Sequence, residues 1–455
     1  MRRLRLLWVT PFLPRRGVSA AQARWWALLH RIAARHDVSL LAFVTPDEAA
    51  AAGELPDGLA ARHLVPRRPW RPEDPLALLP RTVAGGYTDP ALRAAVAERL
   101  AAEPFDLVQY EFVEMANLAP ASGIPSILTV HQLGFAQEGP LWRAEGRPVA
   151  RGAVLFHRYL RELDFELRAV LRADRVVTMS AEDAARLQRF HPRLRIAVSP
   201  CGVDTREFHP LPPRPPEVDL VFLGHFAHPP NVDAARFLVR EVLPGLGRPV
   251  RLRIVGRGVT PEIASLADDA AIEVTGGVDD VRPHLAAGAV FVAPIRFGTG
   301  MRGKLLEALA MGRPVVTTPV GAEGLGAVAG RDLLVADGAR DFAAAVRRLL
   351  DEPAVAARLG AAGRALVTAR FDWDAIATAH EGIYEAVLRD GASAQPPKPA
   401  PASRIAGSLG YLPGVGAGFT LLAVRALRWH LRRLGQRPRL PVLGDPSPLR
   451  SEGAG

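Results

Sequence analysis

The sequence predicts an α/β protein built from two doubly wound, Rossmann-like halves with parallel sheets. Three observations predict it. Short β-like runs alternate with helical patterns from Leu4 to Val198, a proline-dominated break falls at Leu211 to Pro216, and a second alternating series starts at Asp219. Strands spaced by helices imply parallel sheets, and 455 residues suffice for two cores and a tail.

The first half opens with the apolar run Leu4 to Thr10. A helix is expected from about Ser19 to Arg35, because Trp25, Leu28, Leu29 and Ile32 recur at i, i+3, i+4 and i+7, and Ser19 with Gln22 has the spacing of a capping box. Val38 to Val44 completes a βαβ unit. Further strands are expected at Leu107 to Tyr110, Ser126 to Val130, Arg175 to Met179 and Ile196 to Val198. Leu211 to Pro216 can continue neither element and reads as a linker. The second half then offers strands Asp219 to Leu223, Arg251 to Val255, Ile272 to Val274, Val290 to Ala293 and Pro314 to Thr317. Helices are expected at Asn231 to Val242, Gly303 to Met311, Asp341 to Leu350 and Val355 to Thr368, and Trp373, Ile376, Ala377, His380, Ile383, Tyr384 and Val387 mark one more amphipathic helix.

These elements give domain limits of 1–210 and 217–371, a helix at 372–390, and a tail at 391–455. The tail begins with a Pro, Ala, Ser and Gly linker from Gly391 to Ser403. Beyond it Val424, Leu427, Leu431 and Leu434 would share one helix face, with Arg425, Arg428 and Arg432 on the other, and the end from Pro438 reads as disordered. Such a basic amphipathic helix suits peripheral contact with an anionic membrane, a packing role or a partner.

Apolar residues are 49% of the chain and charged residues 23%, a globular balance. The single cysteine, Cys201, excludes an intramolecular disulfide and fits a reducing compartment. The run Leu6 to Val9 is too short for a signal-peptide core, and no apolar stretch approaches the ~20 residues of a membrane span. A cytoplasmic protein is expected, at the inner face of the membrane if the tail binds lipid. The net charge of +10 favours anionic partners, although abundant arginine, alanine and glycine also fit coding bias. The basic tail lacks the aromatic interleaving of a nucleic-acid binder, so none is expected.

Open α/β sheets bind ligands beyond the carboxyl ends of their strands, in glycine-rich turns that lead into helices. The most informative such turn runs from Pro294 through Gly298, Thr299, Gly300, Met301 and Arg302 to Gly303, Lys304 and Glu307. Glycines allow close backbone approach, a helix start attracts phosphate, and Arg302 and Lys304 add positive charge. Glu307, one turn inside, leans back toward the helix start and suits a ribose diol, so the set suggests a nucleoside diphosphate. The plainer alternative is that Glu307 answers the helix dipole while Arg302 and Lys304 are solvated charges. Gly256 to Pro261 lacks the third glycine of a dinucleotide fingerprint and argues against NAD.

The segment Arg302-Gly303-Lys304-Leu305-Leu306-Glu307-Ala308-Leu309-Ala310-Met311-Gly312-Arg313-Pro314-Val315-Val316 closely resembles the donor site of family 4 glycosyltransferases, retaining enzymes of GT-B fold. Three further segments agree in order. Ser199 to Phe208 resembles the family's interdomain segment, with Cys201 in place of its usual asparagine. Phe222-Leu223-Gly224 with Pro230-Asn231-Val232-Asp233 resembles the opening of the second domain, and Gly276 to Val281, with Val278 inside it, the loop that meets the donor base.

The resemblance implies that Glu307 binds ribose and that Arg302 and Lys304 bind the diphosphate, with Gly224, Val278, Thr299, Gly300 and Met301 lining the donor. It also implies that the loop Pro14 to Ala20, through Gly17, faces the acceptor and that His131 stands near the transferred sugar; an isolated histidine equally fits a structural role. Two departures stand out. The first of the family's two motif glutamates falls on Thr299, and the usual Arg and Lys pair after Gly224 is missing, with His225 and His228 in that region. The implied activity is transfer from a UDP- or GDP-linked sugar to a saccharide or lipid-linked acceptor hydroxyl, in polysaccharide or glycolipid synthesis. No cofactor or metal is expected. The helix around Trp373 to Val387 would brace the first domain. A non-catalytic sugar-nucleotide-binding protein and a sugar-nucleotide 2-epimerase are the alternatives.

Overall fold

The computed structural model describes residues 2–15, 20–67, 90–120, 122–136, 149–212, 214–298 and 300–391. Among them the first half is a parallel sheet of seven strands: β1 (Arg5–Thr10), β2 (Asp37–Val44), β3 (Ala61–Pro66), β4 (Leu107–Glu111), β5 (Ser126–Val130), β6 (Arg175–Thr178) and β7 (Ile196–Val198). Their order is β3-β2-β1-β4-β5-β6-β7. The second half is a parallel sheet of six: β8 (Val218–Leu223), β9 (Leu252–Val255), β10 (Ile272–Gly276), β11 (Gly288–Ala293), β12 (Val315–Thr317) and β13 (Leu334–Val335), in the order β10-β9-β8-β11-β12-β13. Each order reverses once, between β1 and β4 and between β8 and β11. Those two points are where a doubly wound sheet leaves a crevice for ligands.

The strands form where apolar runs are long enough to be covered on both faces. In β1, Leu6, Leu7, Trp8 and Val9 are all buried, as a central parallel strand requires. Leu6 pairs with Val38 on one side and Leu107 on the other. The first helix runs Ala20–Ala33 and buries Trp25, Leu28, Leu29 and Ile32 against this sheet. Ser19, the expected cap, lies outside the described residues, and the Gln22 amide donates to the Leu13 carbonyl at 2.9 Å.

The helix expected from Asn231 starts at Pro229, because two prolines occupy its first turn, where their missing N–H groups cost nothing. It changes to a wider turn over Leu238–Val242. Several elements had no counterpart in the sequence reading: β3, β13, and the helices Pro46–Ala50 and Pro90–Ala102. The tail features beyond Gly391, including the basic segment after Ala417, lie outside the described residues. No described helix is long and apolar enough to cross a membrane.

The helix Trp373–Asp390 returns from the second half and buries Trp373, Ile376, Ala377, Tyr384 and Val387 in the core of the first. Two chain connections cross at its start. The Val203 amide donates to the Phe371 carbonyl at 2.9 Å, and a Cβ on Gly202 would lie 2.7–2.8 Å from Ile376, Phe371 and Trp373, so only glycine fits there.

Behind β4 the helix meets a buried polar chain whose donors and acceptors run in one direction. The Arg24 guanidinium donates to Ser199 Oγ (2.9 Å), which lies 3.0 Å from His380 Nδ1; His380 Nε2 lies 3.0 Å from Gln109 Oε1, which also accepts from the Tyr384 hydroxyl (2.7 Å). The Gln109 amide then donates to Glu111 Oε1. Since Arg24 can only donate, Ser199 passes its own proton to Nδ1 and His380 carries its proton on Nε2. Burial and the Arg24 charge push His380 down to about 3, so it stays neutral.

A histidine whose folded pKa is depressed leaves stability intact above its unfolded value near 6.5 and loses it as pH falls toward 3. Between pH 6.5 and 5 this residue alone should cost about 2 kcal/mol. Urea midpoints at pH 7.5 and pH 5 should therefore separate more in the wild type than in His380→Gln, whatever the variant loses at pH 7.5. Equal separations would show that His380 does not set the acid sensitivity.

Candidate active site

The two crevices are built from the ends of their central strands. In the second half β8 leads into Gly224, β9 leads into Gly256 and β10 ends at Gly276, and the three are laced: Gly224 N–H donates to Val255 O and Gly256 N–H to Gly276 O, both at 2.9 Å. A Cβ on Gly256 would lie 1.5 Å from the Gly224 carbonyl oxygen. Gly224 is thus pressed against its neighbour strand on one side and against the Phe226 ring on the other. Val278, in the loop after β10, packs half-buried on the second core.

Beyond β11 the loop reaches Gly300 in a left-handed conformation, φ 80°, and a Cβ there would stand 3.3 Å from the backbone oxygen of His131. That approach brings the predicted donor loop onto the end of β5 in the other half. Met301 and Ser180 both flank Gly324 close by. The Arg302 guanidinium lies over Gly298, where a Cβ would be 3.1 Å from Nη2. Burial lowers the pKa of Arg302, opposed by Glu323 and Asp183. Those two carboxylates are themselves joined across the halves by Arg186, at 2.8 and 2.7 Å.

Lys304 is no solvated surface charge. Its Nζ donates to Asn231 Oδ1 at 2.6 Å and sits 4.9 Å from the centre of the Phe222 ring. Burial and the Arg302 charge bring it down to about 7, against the pull of Glu307. Glu307 is pushed up to about 7 by burial, with Lys304 lowering it and Glu207 raising it. Cys201 is near enough for Glu307 to raise its thiol, which burial already holds up to about 11. Gly17 and Thr299 lie outside the described residues.

In the first half His131 does not stand alone. Its Nε2 lies 2.6 Å from Glu111 Oε2, at the end of β4, and the Trp25 indole N–H is 2.9 Å from the same oxygen. Burial holds the imidazole below its ordinary value, against Glu111, so it is neutral at pH 7. Burial raises Glu111, but the bond from His131, the Arg24 charge and the bond from Gln109 leave it net below the ordinary carboxylate. The Trp25 N–H is also 2.9 Å from Nε2 itself. Because the ionised Glu111 oxygen at 2.6 Å can only accept, Nε2 carries the proton and the indole N–H serves Glu111. This leaves His131 the lone pair of Nδ1, with no hydrogen-bond partner among the described residues.

Phe112 stacks on that ring at 4.5 Å and is the one described non-glycine residue with positive φ, 73°. Such backbone costs about 1–3 kcal/mol and is kept where the surroundings enforce it. Glu111, Phe112, Trp25 and Arg24 were missed from sequence; the carboxylate closing an apolar strand was the available signal. A separate cavity of about 430 Å³ lies where the two connections cross, lined by Ser199, Pro200, Gly324, Phe371 and Ile376, and shares no predicted site residue.

Two facing doubly wound domains, bridged by a returning helix and with switch-point loops meeting across a cleft, have the GT-B architecture. The sequence places it further. The Glycosyltransferase Family 4 model matches residues 21–207 and that of Glycosyl transferases group 1 residues 217–352, and the chain belongs to these family 4, group 1 glycosyltransferases.

Among solved structures it is similar to sucrose-phosphate synthase from Thermosynechococcus elongatus, with 20% identity, TM-score 0.64, and coverage of 86% of this chain and 100% of that one. It is also similar to WaaG, a glycosyltransferase involved in lipopolysaccharide biosynthesis, with 17% identity, TM-score 0.59, and 84% and 99% coverage. Among curated relatives, glycogen synthase of Mycobacterium tuberculosis is 33% identical over 253 residues, 50% of this chain and 58% of the relative. The GDP-mannose-dependent alpha-(1-6)-phosphatidylinositol monomannoside mannosyltransferase of the same species is 34% identical over 242 residues, 46% of this chain and 62% of the relative. The chain thus spans about three fifths of the length of these relatives.

The glycines give a direct test of this packing. Gly256→Ala must displace the Gly224 carbonyl and should cost at least ~3 kcal/mol, whereas Gly303→Ala, with nothing within 4 Å of the new Cβ, should stay within ~1 kcal/mol of wild type. Denaturant unfolding of the two variants measures the contrast, and similar losses would contradict it.

Proposed function

We propose that the chain transfers a glycosyl group from a UDP- or GDP-linked sugar to a saccharide or lipid-linked acceptor hydroxyl, with retention at the anomeric carbon and without a metal or other cofactor. The observation that carries the reading is the start of the helix Gly303–Ala310, where the half-buried Lys304 and Glu307 follow a loop that reaches His131 at Gly300.

In this reading Glu307 accepts hydrogen bonds from the ribose hydroxyls, Val278 lies along the base, and Gly224, Gly300 and Met301 admit the diphosphate and sugar closely. Arg302 and Lys304 neutralise the leaving group. The bond between the anomeric carbon and the β-phosphate oxygen breaks with its electron pair on the diphosphate. The acceptor oxygen bonds to that carbon and its proton passes to the phosphate. Preorganised cations in a site with little water stabilise this charge better than solvent does. His131 accepts from a hydroxyl of the transferred sugar through Nδ1, Thr299 borders that sugar, and Gly17 faces the acceptor. UDP and glucose in Anabaena Alr3699/HepE, and GDP-mannose in the name of the mycobacterial relative, support the donor class. Polysaccharide or glycolipid synthesis at the cytoplasmic face of the membrane is the corresponding setting.

A second reading, a non-catalytic sugar-nucleotide-binding protein, is favoured by the threonine at 299 where the family's first motif glutamate falls. Tight nucleotide binding without transfer to any of a wide set of acceptors would decide for it.

Calorimetric titration with UDP, GDP, ADP and TDP should find at least one binder, weakened about 10- to 100-fold in Glu307→Ala, roughly 1.4–2.8 kcal/mol. Equal affinities in both proteins would remove the ribose assignment. The competent form has Lys304 charged and Glu307 ionised. Binding through this pair should fall above pH 7 as Lys304 loses its proton, and below pH 7 as Glu307 gains one. Glu307→Gln should keep the alkaline fall, which assigns that limb to Lys304.

A further inference from the structure

We propose that His225 and His228 are ligands of the donor's β-phosphate and couple donor binding to proton uptake. The inference rests on the donor-binding reading above and adds two residues that it does not use.

Both imidazoles stand beyond the carboxyl end of β8, at the switch point of the second sheet. Their ring centres are 5.2 Å apart. The turn that carries them is held from three sides. The His228 amide donates to the His225 carbonyl at 3.0 Å, and that carbonyl also accepts from Asn231 Nδ2 at 2.8 Å. Asn231 in turn takes the Lys304 ammonium on its Oδ1, so one amide clasps the histidine turn to the buried cation. On the far side Gly258, φ 69°, gives the turn room: a Cβ there would stand 3.1 Å from the Ala227 nitrogen and 3.4 Å from the His225 ring.

Four side chains that carry or can take positive charge therefore converge: Arg302 over Gly298, next to Pro230; Lys304 on Asn231; and the two histidines. The carboxylate of the histidine turn's own helix, Asp233, is turned away and held by Arg296 at 2.6 and 2.8 Å and by Arg236 at 3.3 Å. Arg257, on the adjacent turn, lies along Gly277. Of the charges facing His228, Lys304 comes from the helix Gly303–Ala310 and His225 from its own turn; both are cationic or can become so. Burial, then these two neighbours, lower the pKa of His228. An exposed turn that gathers like charges in this way is relieved by an anion, and a diphosphate bound there would raise the proton affinity of His228. Arginine at such a position would bind phosphate at any pH; histidine binds it with a proton.

The test is titration of wild type and His225→Asn/His228→Asn with UDP and GDP at pH 6 and pH 8.5, and at pH 7 in two buffers of different ionisation enthalpy. Inorganic pyrophosphate and the nucleosides uridine and guanosine serve as separate ligands, and thermal unfolding checks that the variant is folded. The expected result is a 5- to 20-fold weaker diphosphate affinity in the variant at pH 6, closing to less than twofold at pH 8.5. Wild type should also take up more protons per nucleotide bound than the variant, and nucleoside affinity should not change. An equal loss at both pH values, an equal proton count or no loss at all would overturn the histidine assignment. If pyrophosphate binds with this histidine dependence while no nucleotide binds, the donor reading falls and the phosphate site stands. If no anion binds at any pH, both fall.

Discussion

The buried chain of hydrogen bonds from Arg24 to Glu111 is the constraint on which the cleft depends. A guanidinium and a carboxylate both sit in the core, 3.9 Å apart at their closest, and every neutral group between them is engaged. Desolvating two ions costs several kcal/mol each, and attraction repays it only when the remaining donors and acceptors are satisfied. Ser199, His380, Gln109 and Tyr384 supply most of that satisfaction, with Arg24 Nη1 left without a hydrogen bond, and they come from the segment after β7, from β4 and from the returning helix. The network therefore closes only when the last helix of the described chain has docked on the first sheet. Its exposed ion pairs, such as Arg175 with Asp390, contribute little by comparison.

The same network sets the chemistry of His131. Because Gln109 and Thr129 occupy one oxygen of Glu111, the other is left for the imidazole and the Trp25 indole. That bond directs the proton of a neutral ring to Nε2 and its lone pair outward. The strained backbone of Phe112, the next residue after Glu111, is held by the stacking that keeps the ring in place. Orientation of the cleft histidine is in this way tied to a helix that enters from the other half. The crossing at Gly202 is what lets the helix make that return.

Much of the fold was legible because both halves obey one rule: apolar runs of strand length, spaced by helices of 3.6-residue period. Ser126–Val130 and Ile196–Val198 are found with the limits the periodicity gives. β3 was not legible, since its residues are only partly buried and Arg62 and His63 interrupt the run at an edge. The site was half legible. Gly300, Met301, Arg302, Lys304 and Glu307 come together because they lie within one turn and one helix start, so their spacing alone predicts proximity. Glu111 and Arg24 reach His131 only through the order of strands in the sheet, which local patterning does not contain. The half-buried state of Lys304 was equally hidden, for it depends on Phe222 and Asn231, about 80 and 70 residues earlier.

The donor pocket stores its charge differently from the core. Arg24, through Nε and Nη2, and Glu111, through both oxygens, are held by the protein's own groups, so they are structural at all times. Lys304 and Glu307, each drawn to about 7 from opposite directions, can exchange the proton-bearing role without changing their summed charge. A diphosphate on one side and a diol on the other would each select the same state of that pair, the one in which both members are charged. Lys304 gains from an anion, and Glu307, as an ionised acceptor, gains from two hydroxyl donors. A ligand that carries only one of these groups stabilises one ion and leaves the other with its desolvation cost. On the proposed donor reading, this half-buried pair favours a molecule that joins phosphate to a diol at the span of the helix start, as a nucleoside diphosphate does, over either group alone.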